Sequence, residues 1–240
     1  MAQEEDLQAK KSLQGVWVDD ESDMVLFKVD GDTIYYPDVQ NAPVHFKIIK
    51  DSLLMYGNEI SRYKIDKQEA NTFWFHSLSD NIVKLHRSDD EEDWMLSQQD
   101  TVEAIPTYTE VIKKDSVIWY DRVRYRAYVF INPSHIKVLK TSYTEDGISM
   151  DNVYYDNVIH ICVYEGSKCI YASDITKQKF TGLIPDDFLQ KAIFSDMDFI
   201  GVNSSGFHYQ GTVRIPESSV CYLVNLNISF KGKLSMKAQQ

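Results

Sequence analysis

Between Leu13 and Arg87 closely spaced turn residues cut the chain into short runs of alternating apolar and polar residues. This pattern restricts the fold more than any other feature of the 240 residues. Period-two alternation sends one set of side chains to each face of an extended strand, so these runs read as strands with one buried face. The predicted strands are 15–19, 24–29, 33–36, 44–49, 53–56, 60–65, 72–76 and 82–86. The clearest places Val44, Phe46 and Ile48 on one face and His45, Lys47 and Ile49 on the other. Phe73 and Phe75 alternate in the same way with Thr72, Trp74 and His76, and Val83 and Leu85 with Ile82, Lys84 and His86. Asp30-Gly31-Asp32, Lys50-Asp51, Gly57-Asn58 and Ser79-Asp80-Asn81 supply the turns.

Eight antiparallel strands joined in order would leave two edges with unpaired backbone groups, and closing the sheet removes both. The expectation is therefore a small eight-stranded barrel over 12–88. Such a barrel is wide enough for its own side chains or for one small ligand. With 15 Tyr and 11 Phe in the chain, a filled interior is preferred.

Hydrophobic residues make up 43% of the chain, which excludes a disordered polymer. A net charge of −11 argues against a nucleic-acid partner, because phosphate binding needs clustered Lys and Arg. No apolar run reaches the length that spans a bilayer as a helix. The first residues, MAQEEDLQAKK, contain no apolar signal region. Taken literally they suggest a cytoplasmic protein. They are also expected to be a polar tether running straight into the first strand at Leu13.

Ser88-Asp89-Asp90-Glu91-Glu92-Asp93 opens an acidic connector over 89–105. It lacks the spaced ligands and the glycine of a calcium loop, so a solvated boundary is the preferred reading. Trp94-Met95-Leu96 is expected to dock this connector onto a neighbour. A second domain follows over 106–236, with predicted strands 108–113, 123–131, 136–141, 158–164, 168–173, 198–202, 208–215, 220–227 and 233–236. A helix is expected over 186–194, with Asp186 and Asp187 in its first turn and Phe188, Leu189 and Ala192 on one face. Strands and helices do not alternate, which excludes a parallel doubly wound sheet. The fold class is mainly β, with a small eight-stranded antiparallel barrel followed by a β-sandwich-like domain bearing one helix.

Cys162 and Cys169 flank Glu165-Gly166-Ser167. A two-residue loop pairs Glu165 with Lys168, Tyr164 with Cys169 and Cys162 with Tyr171, leaving the sulfurs out of register. A four-residue loop would bring them opposite each other and permit a disulfide. The shorter loop is preferred, and Cys221 reads as a small core residue.

The most distinctive polar segment is Arg122-Val123-Arg124-Tyr125-Arg126-Ala127-Tyr128. At strand spacing Arg122, Arg124 and Arg126 share a face. With Tyr128 they could hold a carboxylated or sulfated glycan. In a chain with 36 acidic residues the plainer reading is a solvent face paired to neighbouring carboxylates. His45, His76 and His86 would approach one another only if they pointed into the barrel, so no metal site or cofactor is expected. No nucleophile elbow, zinc-binding HExxH, phosphate loop or CxxC occurs, and no catalytic residue is expected.

Leu13-Gln14-Gly15-Val16-Trp17 resembles the Gly-x-Trp opening of lipocalin-like barrels. That resemblance implies that Gly15, Trp17 and Arg87 close one end of the barrel, with the arginine over the indole. The second lipocalin signature, a Thr-Asp-Tyr turn, is replaced by Lys64-Ile65-Asp66-Lys67-Gln68. The whole layout resembles a family of exported Bacteroides-type lipoproteins, on the 13–17 opening, the 124–128 segment, Phe180 and Pro185-Asp186-Asp187-Phe188-Leu189. This resemblance implies a periplasmic or outer-surface protein, touching the membrane only through a lipid anchor. The expected function is a non-enzymatic module binding a small molecule, a glycan or a protein at the barrel mouth or between the domains. The alternative is a structural or adhesive component of a surface assembly.

Overall fold

The computed structural model describes residues 4–90, 92–99 and 110–239. Glu91 and residues 100–105 of the expected connector, and Tyr108 and Thr109 of the expected 108–113 strand, lie outside them. The chain forms two compact units with boundaries at 105/106, 138/139 and 153/154. The first holds the barrel and residues 139–153, and the second holds the rest. The predicted boundaries 12–88, 89–105 and 106–236 differ from these chiefly in leaving 139–153 with the second domain.

In the first unit β1 (Gly15–Asp19), β2 (Val25–Asp30), β3 (Thr33–Tyr35), β4 (Val44–Ile49), β5 (Ser52–Tyr56), β6 (Ile60–Glu69), β7 (Thr72–His76) and β8 (Ile82–Arg87) form a closed antiparallel barrel. Closure is a register rather than an approximation: Trp17 pairs with Arg87, Val18 with His86 and Asp19 with Leu85. The alternation read from the sequence sorts the side chains. Val44, Phe46, Ile48, Phe73, Phe75, Val83 and Leu85 are buried, while Lys84 and His86 between them are exposed.

Leu7–Ser12 is not a tether but a helix, α1. Asp6 caps it by accepting from the Ala9 amide at 2.9 Å, and Lys10 and Lys11 complement the dipole in its last turn. Lys10 pairs with Glu5 at 2.7 Å and Asp32 at 2.6 Å. A second helix, α2 (Glu92–Gln99), follows the barrel. Its Trp94 lies under the Lys28 ammonium of β2, 5.9 Å from ring centre to nitrogen.

The second unit has two four-stranded sheets. The first runs β12-β11-β10-β9, with β9 (Ile112–Tyr120), β10 (Val123–Tyr143), β11 (Ser149–Glu165) and β12 (Lys168–Ile175). The second runs β13-β14-β15-β16, with β13 (Ile193–Asn203), β14 (Gly206–Arg214), β15 (Cys221–Ile228) and β16 (Leu234–Gln239). Ala127, Val129, Ile161, Val163, Phe194, Phe207, Tyr209 and Val224 belong to one core fed by both sheets. Between them the Tyr125 and Phe207 rings meet edge to face at 5.0 Å, and Tyr209 donates to the Cys162 carbonyl at 3.1 Å. The predicted helix is shorter, α3 (Asp186–Lys191), because Ala192 is already extended and leads into β13.

Strands 123–131 and 136–141 are one strand. Pro133 has no N–H to lose from a ladder and its fixed φ suits extended backbone. Beside it Ser134 Oγ donates to the Asp156 carbonyl at 2.6 Å and accepts from the Ile136 amide at 3.2 Å. Residues 139–153, the far end of β10 and the near end of β11 with the turn between, belong to the first unit.

Candidate functional site

The barrel interior is closed at both ends. At one end Gly15, Trp17 and Arg87 come together. Trp17 is fully buried and donates from Nε1 to the Leu13 carbonyl at 2.8 Å, and the Arg87 guanidinium sits 5.2 Å from its ring centre. Arg87 also donates to the Ser12 carbonyl. Gly15 has φ +116°, a conformation that side-chain-bearing residues rarely adopt, and the Arg87 stem passes 3.6 Å from where its Cβ would stand.

The other end is stopped by the tip of the β10–β11 hairpin. Ile148 and Met150 join the barrel core, and the Ser149 amide donates to the Tyr63 hydroxyl at 2.7 Å. Ser149 Oγ is bonded to Ser61 Oγ at 2.7 Å and to the Tyr63 hydroxyl at 2.9 Å. Asp151 accepts from the Asn58 amide at 2.6 Å and from Thr141 Oγ1 at 2.8 Å. Gly147 turns the tip with φ +78°, and a Cβ there would lie 2.2 Å from Ser79 Oγ. Beneath the tip a space of about 10 Å³ remains, lined by Tyr36, Met55, Ser149 and Asp151, which is room for one water at most. The barrel mouth, where a ligand is expected from the sequence, is occupied by this chain's own hairpin.

The sequence-predicted binding residues lie in the second unit. Arg124 and Arg126 stand on the outer face of β10, alternating with Val123, Tyr125, Ala127 and Val129, which face the core. Arg122 does not join them. Asp121 and Arg122 are the two central residues of a tight hairpin between Tyr120 and Val123, both with positive φ, so Arg122 projects from a turn rather than along a strand. Arg126 is paired to Asp115 across the ladder, and its guanidinium lies 5.0 Å from the Tyr128 ring centre. The Asp115 carboxylate raises the Arg126 pKa above its ordinary value, so this group stays charged. Arg124 has no ion-pair or hydrogen-bond partner among the described residues.

Residues not singled out in the sequence complete the face. Trp119 pairs with Arg124 and Val117 with Arg126, at 68% and 48% exposure. Along β10 Tyr128 stacks on Phe130 at 5.9 Å, and Tyr164 of β11 meets Tyr128 edge to face at 6.1 Å. The signal was present as Lys113, Asp115, Val117 and Trp119 alternating with Ile112, Lys114, Ser116, Ile118 and Tyr120. Lys114 and Ser116 on the inner face obscured it. Lys114 is accommodated by ion pairs to Asp196 at 2.6 Å and Asp198 at 2.7 Å on β13.

His45, His76 and His86 point away from the barrel interior, each between inward-facing neighbours, and His86 contacts Asp20 at 2.6 Å. Among the described residues no group of three or more His, Cys, Asp or Glu could hold a metal ion. Cys162, Cys169 and Cys221 are free thiols. The hairpin has the two-residue loop, with Glu165 opposite Lys168 and Tyr164 opposite Cys169. A bulge then shifts the register, so that Cys162 faces Ala172 rather than Tyr171.

The described helices include none long and apolar enough to cross a membrane. A family model described as "Domain of unknown function (DUF4738)" matches residues 89–236, from just beyond β8 to within β16. The exposed Trp119–Arg124 face therefore falls wholly within the matched segment. No curated protein matches the chain.

Proposed function

The chain belongs to the DUF4738 family, and from that premise we propose a non-enzymatic exported module that recognises an acidic glycan on the outer face of its β9–β12 sheet. The observation that carries this reading is the cross-strand pair Trp119 and Arg124, one 68% exposed and the other without a partner among the described residues. An exposed indole beside an uncommitted guanidinium suits a ligand with an apolar ring face and a carboxylate or sulfate on its rim. Tyr128 and Arg126 extend the same chemistry along the strand. The filled barrel also supports it, since no interior is left for a small cargo. Export is part of the proposal, by the lipoprotein resemblance, with a lipid-modified cysteine upstream as its anchor.

Affinity electrophoresis through gels containing polygalacturonate, chondroitin sulfate or neutral dextran tests the reading. The acidic polymers should retard the protein and dextran should not, with retardation falling as salt rises. Trp119→Ala and Arg124→Ala should each abolish the retardation, and the polymers should keep their chain length on prolonged incubation. Equal retardation by dextran, or indifference to both substitutions, would sink the glycan reading. Recovery of a stoichiometric protein partner from the native envelope would favour an assembly component instead.

A further inference from the structure

A groove of about 530 Å³ lies in the first unit, between the outer wall of the barrel at β2 and helix α2. That volume is inside the roughly 300–1,000 Å³ usual for small-molecule sites. Its apolar lining includes Met24, Leu26, Pro37, Leu96 and Met150, with buried Val18 at its floor. Met24 and Leu96 are 68% and 56% exposed, an apolar area that water covers at a free-energy cost. The two methionines are unbranched and adjust to varied shapes.

Carboxylates predominate among the ionisable groups of this lining. Asp23, Asp38 and Asp93 line the groove, and its described lining contains neither lysine nor arginine. Asp38 accepts from the Gln40 amide through Oδ1 at 2.8 Å, and Asp93 accepts from the Ser88 hydroxyl through Oδ2. None of the ion pairs among the described residues involves Asp23, Asp38 or Asp93. Lys28, close by on β2, is turned to the Trp94 ring. His86 also lines the groove and is held by Asp20.

An apolar trough with an unneutralised carboxylate rim matches one ligand chemistry. We infer that this groove binds a small amphiphile with an alkyl or aryl body and an ammonium head, the body covering Met24, Leu96 and Met150 and the head on the acidic rim that Asp23, Asp38 and Asp93 supply. A carboxylated or sulfated ligand would meet like charge on that rim. The site is separate from the sheet face of the glycan proposal and stands or falls without it.

The test uses the full chain labelled with carbon-13 at the methionine methyls, with Met24→Leu and Met150→Leu assigning the two resonances. Octylamine, octanol and octanoate serve as probes. Octylamine should shift both methyls saturably and bind about ten-fold more tightly than octanol, with octanoate weaker still. Asp38→Asn with Asp93→Asn should bring octylamine down to the affinity of octanol. In the unaltered protein, added sodium chloride should erode the same ratio, a readout independent of any variant's folding. The inference is overturned if octanoate binds as well as octylamine, or if the ratio ignores salt. It is also overturned if neither methyl moves, or if only a basic amphipathic peptide moves them, which would make the groove a protein-docking surface.

Discussion

In the barrel every strand has two neighbours, because Trp17 pairs with Arg87 and Val18 with His86. In the second unit two four-stranded sheets keep their edges and meet through one core. The barrel spends its concave side on packing, where Trp17, Tyr63, Phe46, Phe73 and Phe75 fill the space a ligand would need. The second unit has two outer faces, and they differ chemically. One carries Trp119, Arg124, Arg126, Tyr128 and Phe130. The other carries amides that bond to one another, Gln210 to Asn225 and Asn225 to Gln239, each at 3.2 Å. A barrel suggests a container by analogy, but this one is filled by its own side chains, and the side chains decide.

The largest expected effects test whether each unit depends on the feature that closes it. Trp17→Ala removes the largest fully buried side chain of the barrel and should cost about 3–5 kcal/mol in urea unfolding. The counterpart in the second unit is the buried pair of Lys177 and Asp156, 3.2 Å apart with side chains 8% and 3% exposed. Asp156 also accepts from the Phe194 amide at 2.8 Å and Lys177 donates to the Ala192 carbonyl at 2.7 Å, so the pair fixes the entry into β13. Lys177→Met strands the carboxylate and should cost about 3 kcal/mol or more, partly recovered by adding Asp156→Asn. A silent Lys177→Met would mean the second unit is held by its apolar core alone.

The two units also differed in how much of them could be read from the sequence. Strands 15–19, 44–49 and 72–76 coincide with β1, β4 and β7. In β4 and β7 every second residue is buried, which leaves a strict period of two, whereas β1 buries Val16, Trp17 and Val18 together. Where burial is shared or exchanged for charge, the pattern blurs. The expected 108–113 strand overlaps β9 only at Ile112 and Lys113, because Lys114 and Ser116 stand on the inner side of β9 and break its apolar alternation. Helix α1 was missed because its six residues are mostly polar and its one buried member is Lys10. Arg124, Arg126 and Tyr128 were found through their spacing, whereas Arg122 was misplaced. Asp121-Arg122 lacks the Asn-Gly or Asp-Gly that ordinarily marks so tight a turn. The hairpin tip over the barrel mouth could not be foreseen, since Tyr63 and Ser149 are 86 residues apart in sequence.

That tip gives the next effect in size. Tyr63→Phe leaves the Ser149 amide and hydroxyl short of a buried partner and should cost about 1–3 kcal/mol. Hydrogen exchange should then quicken at Ser149 while amides at the opposite end, such as Trp17, hold their protection. Uniform quickening would show that the tip is part of the barrel's folding unit rather than a stopper on it. On the outer face of β9, Trp119→Ser should alter stability by no more than about 0.5 kcal/mol, because 68% of the indole is already in water. A larger loss would make the aromatic row structural, contrary to the comparison between a packed barrel and an open sheet face.

The smallest effect probes how tightly that sheet face is packed. Burial pushes the Cys162 thiol up to about 11, with the neighbouring Cys169 sulfur adding to the shift, while Cys169 itself is exposed. The folded chain therefore holds the Cys162 proton at pH values where the unfolded chain releases it. The resulting stability is complete below the ordinary thiol value and fades as pH rises from about 9 through 11. Since the thiolate is the reactive form, a maleimide at pH 8 should modify Cys169 well before Cys162, with the gap narrowing toward pH 11. Mass analysis of the two peptides reads the order directly. Equal rates at pH 8 would mean that β11 opens to solvent around Cys162, and the rigid row of Tyr128, Phe130 and Tyr164 that the glycan reading needs would go with it.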